Sequence, residues 1–457
     1  MKRIIIFSLL FLPFFLSGQK IIKNDSKVLF VSTKYNNIWF VRPLGGSYGT
    51  EDGTSYANAF DGFIDIEWSS IGAKDLLLVY GNHTEALDIQ ADNFYIKFNI
   101  NSYIDATGID EGLTIANRTG VMIERAKVIN ATVSNIEISG TSSDIIVSNV
   151  TCTGSGNQNF QMLDNSSATF YNIVGNNAID DGFSMHDNTT ATIHGGTFTG
   201  NDLGMGTIES AKLTAYNCYL TNNASNDIGT DFADSDSSAY VIAIGCKIIQ
   251  TGSSQLYAEN QAYLELWYCD ITAGTNHIAD IGGSNSSDYA HFGANYCIFN
   301  DMAASKDAVV ARADSYITLR NCVIYGSGTK TGIGVGCVSG SVTVANNTIF
   351  SNLDKGLYAL SGSTVTSNNS CYYDNTTDKQ GTITANNDVT GNPNLSNPAN
   401  NQFWITAGSS CINTGLDLGS TYQLGLNQTT IFPKPINKLN QNDYGVGWDI
   451  GIYIYIE

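Results

Sequence analysis

Between Val121 and Asp374, apolar and polar residues alternate in short runs that return at a near-constant spacing. Each unit reads apolar-x-apolar-x, then Asn or a small or aromatic residue, often Cys, then a second short apolar run. VMIERAKVI, IIVSNVTC, LTAYNCYL, VIAIGCKII, ITLRNCVI and VTVANNTIF are examples. The residue after the Asn-like position marks each unit: Ala126, Val150, Ile173, Gly196, Cys218, Cys246, Cys269, Cys297, Cys322, Asn347 and Ser370. Successive markers are 22 to 28 residues apart. Alternation of period two predicts strands, and the Gly, Asn, Ser and Asp between runs predict turns. No stretch after Ala73 has a convincing helical period. Two or three short strands per repeat of this length predict an all-β parallel β-helix of about ten coils, stacked about 4.8 Å apart around a shared core. The Asn positions (Asn149, Asn172, Asn217, Asn321, Asn346, Asn369) suit a left-handed turn, and stacked Asn amides can bond from coil to coil.

A register assigns faces. Positions ten and twelve past the marker, such as Phe160/Met162, Phe183/Met185, Gly206/Ile208 and Ile228/Thr230, are mostly apolar and are expected to point inward. The interleaved positions, eleven and thirteen past it, are mostly polar and are expected to point outward. On that count His186, Glu209, Asp231 and Glu259 form one exposed column on four successive coils.

The ends depart from the repeat. Residues 1–18, with Lys2-Arg3 before an apolar run and a small-residue finish, read as a secretory signal too short to span a membrane. Residues 19–75 form an N-terminal segment and cap, with a short helix expected in IDIEWSSIGAK. Residues 76–385 form the β-helix, and 386–457 a C-terminal capping segment. No second apolar run approaches membrane-spanning length.

Formal charge is −20, with 22 Lys+Arg against 42 Asp+Glu. No cationic cluster offers the footprint that nucleic-acid binding needs. A neutral glycan fits this surface directly, and a polyanionic one needs a bridging cation. Of nine Cys, five fall on successive markers from Cys218 to Cys322, which reads as a column of small buried side chains. Zinc lacks a Cys-x-x-Cys or Cys/His cluster.

With GTEDGTS at Gly49–Ser55, LLLVYGNHTEALDI at Leu76–Ile89, and GSSCIN and WDIG near the C-terminus, the chain resembles secreted bacterial right-handed parallel β-helix proteins of the pectate-lyase-like superfamily. That superfamily holds lyases, hydrolases, tail spikes and non-catalytic surface proteins, so the resemblance implies fold more narrowly than activity. Asp180-Asp181-Gly182 resembles the Asp-Asp-Gly of its calcium-dependent polysaccharide lyases. The resemblance implies calcium held by Asp180, Asp181, Asp202, Asp227 and Asp231, oxygen ligands that suit a hard cation. Two departures stand against it: Ser184-Met185 replace a further Asp, and the next coil, GNDLGMGTIES, carries no Lys or Arg to act as base. Asp180-Asp181-Gly182 also reads simply as a turn.

Asp181, His186 and Glu209 are the catalytic candidates, His186 beside Glu209 forming an acid/base pair. The same column also reads as a solvated acidic face. Tyr257, Glu259 and His277 are candidates for substrate contact. Two units lengthened to 28 residues carry loops where binding surfaces usually lie. Trp267 and Tyr268 join Tyr257 as aromatics able to stack on sugar or to pack internally. The expected function is polysaccharide binding on the lateral face. The alternatives are a calcium-dependent uronate lyase and a structural or spike-like surface protein.

Overall fold

The computed structural model describes residues 35–230, 239–249, 254–272, 276–282, 289–301, 306–312, 314–328, 330 and 332–456. Strands stack in parallel into about 14 coils. One coil shows the plan. Lys212–Tyr216 lies on face one, Tyr219–Thr221 on face two and Asn226–Thr230 on face three. Lys212 to Tyr216 stand in register on Thr190 to His194 below and under Tyr240 to Ile244 above. Faces one and two merge into a 27-stranded sheet because Ser167–Asn176 and Thr190–Thr199 run through both; face three is a 13-stranded sheet. The count exceeds the expected ten because Ile38–Arg42, Leu76–Val79 and Tyr95–Phe98 already stack in the same way without the Asn–Cys marker.

The corner between faces one and two is the marker. Asn149, Asn172, Asn217, Asn321 and Asn369 all lie in the left-handed region, with φ between 48° and 54°. Their amides link coils, as in Asn172 Nδ2 to Asn149 Oδ1 at 3.3 Å. Gly245 takes the same corner, where a Cβ would come within 2.6 Å of Asn217 Oδ1. In one unit the corner residue is Asn347 (φ 50°), not the expected Asn346, so Thr348 occupies the marker position above Cys322. The five marker cysteines are buried thiols in a column, and three of them bond backbone of the preceding coil: Cys246 Sγ to Ala215 O at 3.6 Å, Cys269 Sγ to Ala243 O at 3.4 Å, Cys322 Sγ to Ala294 O at 3.3 Å.

Inward side chains form one continuous core. On face three its spine is Phe160, Phe183, Met205, Ile228 and Leu256, in register on successive coils. A polar ladder runs inside the corner between faces two and three. Asn135 donates to Asn159 (2.8 Å), Asn159 to Asn201 (3.2 Å), Asn201 to Asn223 (3.0 Å) and Asn223 to Asp227 (2.6 Å). Buried amides of this kind are stable only when bonded, and stacking supplies each with a partner.

Two end segments differ from expectation. The N-terminal helix is only a 3-10 turn, Trp68–Ser70, with Phe60, Phe63, Ile66 and Ile71 buried around it. The C-terminal segment lies along the side of the β-helix. Its Phe403, Ile405, Leu426, Ile450 and Ile452 form a second core with the outward residues Tyr268, Tyr296, Ile298, Val323, Ile349 and Cys371 of successive coils. Tyr422 stacks on Trp267 (ring centroids 5.5 Å apart), and Tyr268 Oη donates to Leu424 O at 2.7 Å. Trp267 and Tyr268 are thus packing residues here, and neither offers a ring face to sugar.

Candidate functional site

Face three gathers most of the candidate residues because parallel stacking turns sequence distance into vertical adjacency. Its outward middle column runs Gln161, Ser184, Gly206, Gly229, Tyr257 and Asp280. Beside it runs a column containing Gln158, Asp181, Leu203 and Asn226. Leu203 lies across the bare backbone of the two glycines: a Cβ on Gly206 would meet its Cδ2 at 2.6 Å, one on Gly229 its Cδ1 at 3.1 Å.

Asp181 is buried. Its burial, with Asp180 and Asp202 nearby, pushes the carboxyl up to about 7 against the opposing Ser184 hydrogen bond. Ser184 Oγ is also 3.2 Å from His186 Nε2. One hydroxyl has one proton, so when Ser184 donates to Asp181 the imidazole Nε2–H must be the donor to Ser184. His186 and Asp181 thus flank the single Ser184 hydroxyl. Asp202 Oδ1 accepts from Ser225 Oγ at 2.7 Å, and Asp180 Oδ2 from Gln158 Nε2 at 3.3 Å.

The expected acidic column does not form. Asn176 pairs with Thr199 on face two, and Asp181 with Leu203 on face three, so the turn holds one residue fewer on the second coil. A one-residue slip exchanges inward and outward positions. Met205 and Thr207 therefore point inward in place of Gly206 and Ile208, and Ile208 follows His186 in the outward column. Glu209 falls in the next corner at φ 64°, where its Oε2 accepts from the Asp187 backbone N–H at 2.6 Å. Among the described residues His186 bonds Ser184 and Glu209 bonds the Asp187 backbone, with no hydrogen bond between the two side chains.

The calcium set does not assemble either. Asp227 shares the inward corner column with Gly182 and Gly204; it is buried, and the interior pushes its carboxyl up to about 8. Gly182 is glycine because a Cβ there would meet Gly204 O at 2.6 Å and Asn201 Nδ2 at 2.7 Å. Asp231 lies outside the described residues. Among the described residues no three His, Cys, Asp or Glu groups converge to hold a metal ion. The donors present do not fit a calcium cage, and the fit fails on Asp227's inward orientation.

A second cluster lies further along the same face. Asp280 makes a two-pronged ion pair with Arg312, through Nε and Nη2. The guanidinium also feels Tyr257 and Glu259. Glu259 precedes Arg312 by two coils in the column of His186. His277 Nδ1 accepts from the Asp307 backbone N–H at 3.0 Å, and burial holds the imidazole below its ordinary range. Burial pushes Asp307 up to about 7, with Lys355 opposing. The sought basic residue therefore exists as Arg312, but five coils from His186, roughly 24 Å at strand spacing. Asp307 and Arg312 lie several coils from Asp181 and in no local motif, so nothing in the sequence marks them.

No protein-family model matches the chain, and no curated protein matches it. Solved structures do. Pectate lyase Pel9A has a TM-score of 0.44 at 14% identity, covering 92% of this chain and 96% of that one. The A-module of the Azotobacter vinelandii mannuronan C-5 epimerase AlgE4 has 0.34 at 12%, covering 70% and 91%. PfbA, a surface adhesin of Streptococcus pneumoniae, has 0.27 at 10%, covering 69% and 85%. Likeness at these identities concerns fold alone. Among the described residues no helix is long and apolar enough to cross a membrane. By its own strand ladders, in-register and parallel among the described residues from Ile38 to Asn386, the chain is a β-solenoid of the parallel β-helix kind.

Proposed function

We propose that the chain binds polysaccharide along the outer surface of face three. The observation that supports this is the middle column, where Ser184, Gly206, Gly229 and Tyr257 follow one another at coil spacing. Gly206 and Gly229 carry no side chain and Leu203 lies over their backbone, so a low apolar stretch separates Ser184 from Tyr257, roughly 14 Å at about 4.8 Å per coil. Ser184 and His186 stand at one end; Tyr257, Asp280 and Arg312 stand at the other. An apolar floor with a few fixed polar groups is the usual build of a ligand surface. Calcium enters only as a condition to be varied.

Binding to an array of neutral and acidic polysaccharides is the test. Tyr257→Ala is expected to weaken binding by about tenfold, roughly 1.4 kcal/mol. An array without signal, or affinity indifferent to both Tyr257→Ala and Ser184→Ala, would overturn the reading. Cleavage of a uronate polymer is the second reading, favoured by Arg312 lying near His277 and by two carboxyls, Asp181 and Asp307, pushed to about 7. Absorbance of an unsaturated product from pectin or alginate, with and without calcium, separates the two; silence under both conditions leaves binding alone. Export is part of the proposal, and a mature chain beginning at Gln19 is the expected outcome of N-terminal sequencing.

A further inference from the structure

We propose that Cys371 and Cys411 form a disulfide-bonding pair that staples the C-terminal segment to the flank of the β-helix. The nine cysteines are all buried thiols; Cys152 and Cys337 stand apart from one another, and the other seven sit in two kinds of place. Cys218, Cys246, Cys269, Cys297 and Cys322 are in-register neighbours on successive parallel coils, with sulfur bonded to backbone carbonyls. Such neighbours stand about 4.8 Å apart with parallel Cα–Cβ directions, whereas a disulfide brings its Cβ atoms to about 3.8 Å. Bridging them would require the coils to move.

Cys371 and Cys411 approach from different elements. Cys371 ends the outward column Ile298, Val323, Ile349 on face two, and Cys411 belongs to the segment laid over that column. Both are buried in the second core. Cys371 Sγ reaches Gly391 O at 3.4 Å. Gly391 in turn lies against Ser410, since a Cβ there would meet Ser410 Cβ at 2.6 Å, and Ser410 N–H donates to Asn392 O at 3.0 Å. The neighbouring Cys371 sulfur and burial together push the Cys411 thiol well above its ordinary range. Oxidation breaks both S–H bonds and forms one S–S bond. The two protons and two electrons pass to an added disulfide, oxidised glutathione, which is reduced to two thiols. The bond would close a loop of about 40 residues and hold in place the segment that covers Trp267, Tyr268 and Tyr296.

The test is a thiol count on the full chain. After incubation with oxidised glutathione, the protein is unfolded in guanidinium chloride with N-ethylmaleimide and no reductant, then weighed and digested. Nine cysteines less the pair leaves seven adducts, and one linked species should join the Cys371 and Cys411 peptides. Cys371→Ser and Cys411→Ser should each give eight adducts, all remaining thiols being free. Reductant should lower the melting temperature of the parent by several degrees and leave that of Cys371→Ser unchanged. Nine adducts in the parent, a link between any other two cysteines, or a melting temperature indifferent to reductant would each overturn the proposal.

Discussion

Replacing Asp227 by Asn should make the protein more stable above pH 8 and leave it nearly unchanged below about pH 4. Asp227 sits at the top of the interior amide ladder, accepting from Asn223 at 2.6 Å, and its carboxyl is pushed up to about 8 by burial. Among the described residues its Oδ2 has no hydrogen-bond partner, and neither has Oε1 of Gln255 on the next coil, whose backbone carbonyl accepts the Asp227 N–H. Two acceptors cannot satisfy each other, but a protonated Asp227 supplies the missing donor. The sign follows. A carboxyl whose folded value lies above its unfolded value, 3.8, favours folding while it stays protonated. Stability is therefore greatest below about pH 4, falls as pH rises to about 8, and is level beyond. At about 1.4 kcal/mol per unit, the loss is on the order of several kcal/mol. Asn carries a permanent donor and no charge, so it removes that loss. Asp181 and Asp307, each pushed up to about 7, add slope of the same sign. Guanidinium unfolding of parent and Asp227→Asn at pH 3.5 and pH 8.5 measures the effect. A variant less stable than the parent at pH 8.5 would show that the folded surroundings favour the Asp227 carboxylate and do not penalise it.

Phe183→Ala should cost about 3–5 kcal/mol and show as a lower denaturation midpoint. The ring contacts Phe170 edge-on at 4.9 Å, Phe160 at 6.0 Å and Phe198 at 6.2 Å. Truncation leaves a cavity that the stacked backbone cannot collapse around, because the coils above and below are fixed by ladders of hydrogen bonds. In a solenoid the loss falls first on neighbouring coils, so hydrogen exchange should quicken from Gln158–Met162 through Leu203–Thr207 and less towards the ends. Uniformly faster exchange along the whole chain would contradict that local picture.

The two halves of the candidate surface differed in how far they could be read. Cys218 to Cys322 fell on their markers because the run from face one through the corner to face two is held tightly in length, by alternation and by one left-handed residue. The turn into face three is not so held. It spans five steps from Asn176 to Asp181 and four from Thr199 to Leu203. That difference misplaced Glu209 and Met205; Asp227 instead stands one residue past the offset of Asp181, which puts it in the column of Gly182 and Gly204. Both turns open on a left-handed residue, Asn177 and Gly200, so the opening does not mark the change. The second core was equally hidden: outward Ile298, Val323 and Ile349 look like core residues in sequence and prove to be a docking stripe for residues about 50 to 150 positions later.

The amino-acid sequence by itself determined the coil. Alternation and the recurring Asn–Cys corner fix strand, bend and period, all properties of a few adjacent residues. Only the tertiary structure decided which carboxylates face solvent, which aromatics the C-terminal segment covers, and which cysteines meet. The reason is geometric: facing depends on the exact number of residues in each turn summed up to that point, and contact depends on where a distant segment lands. Neither quantity is encoded at the residue that it affects.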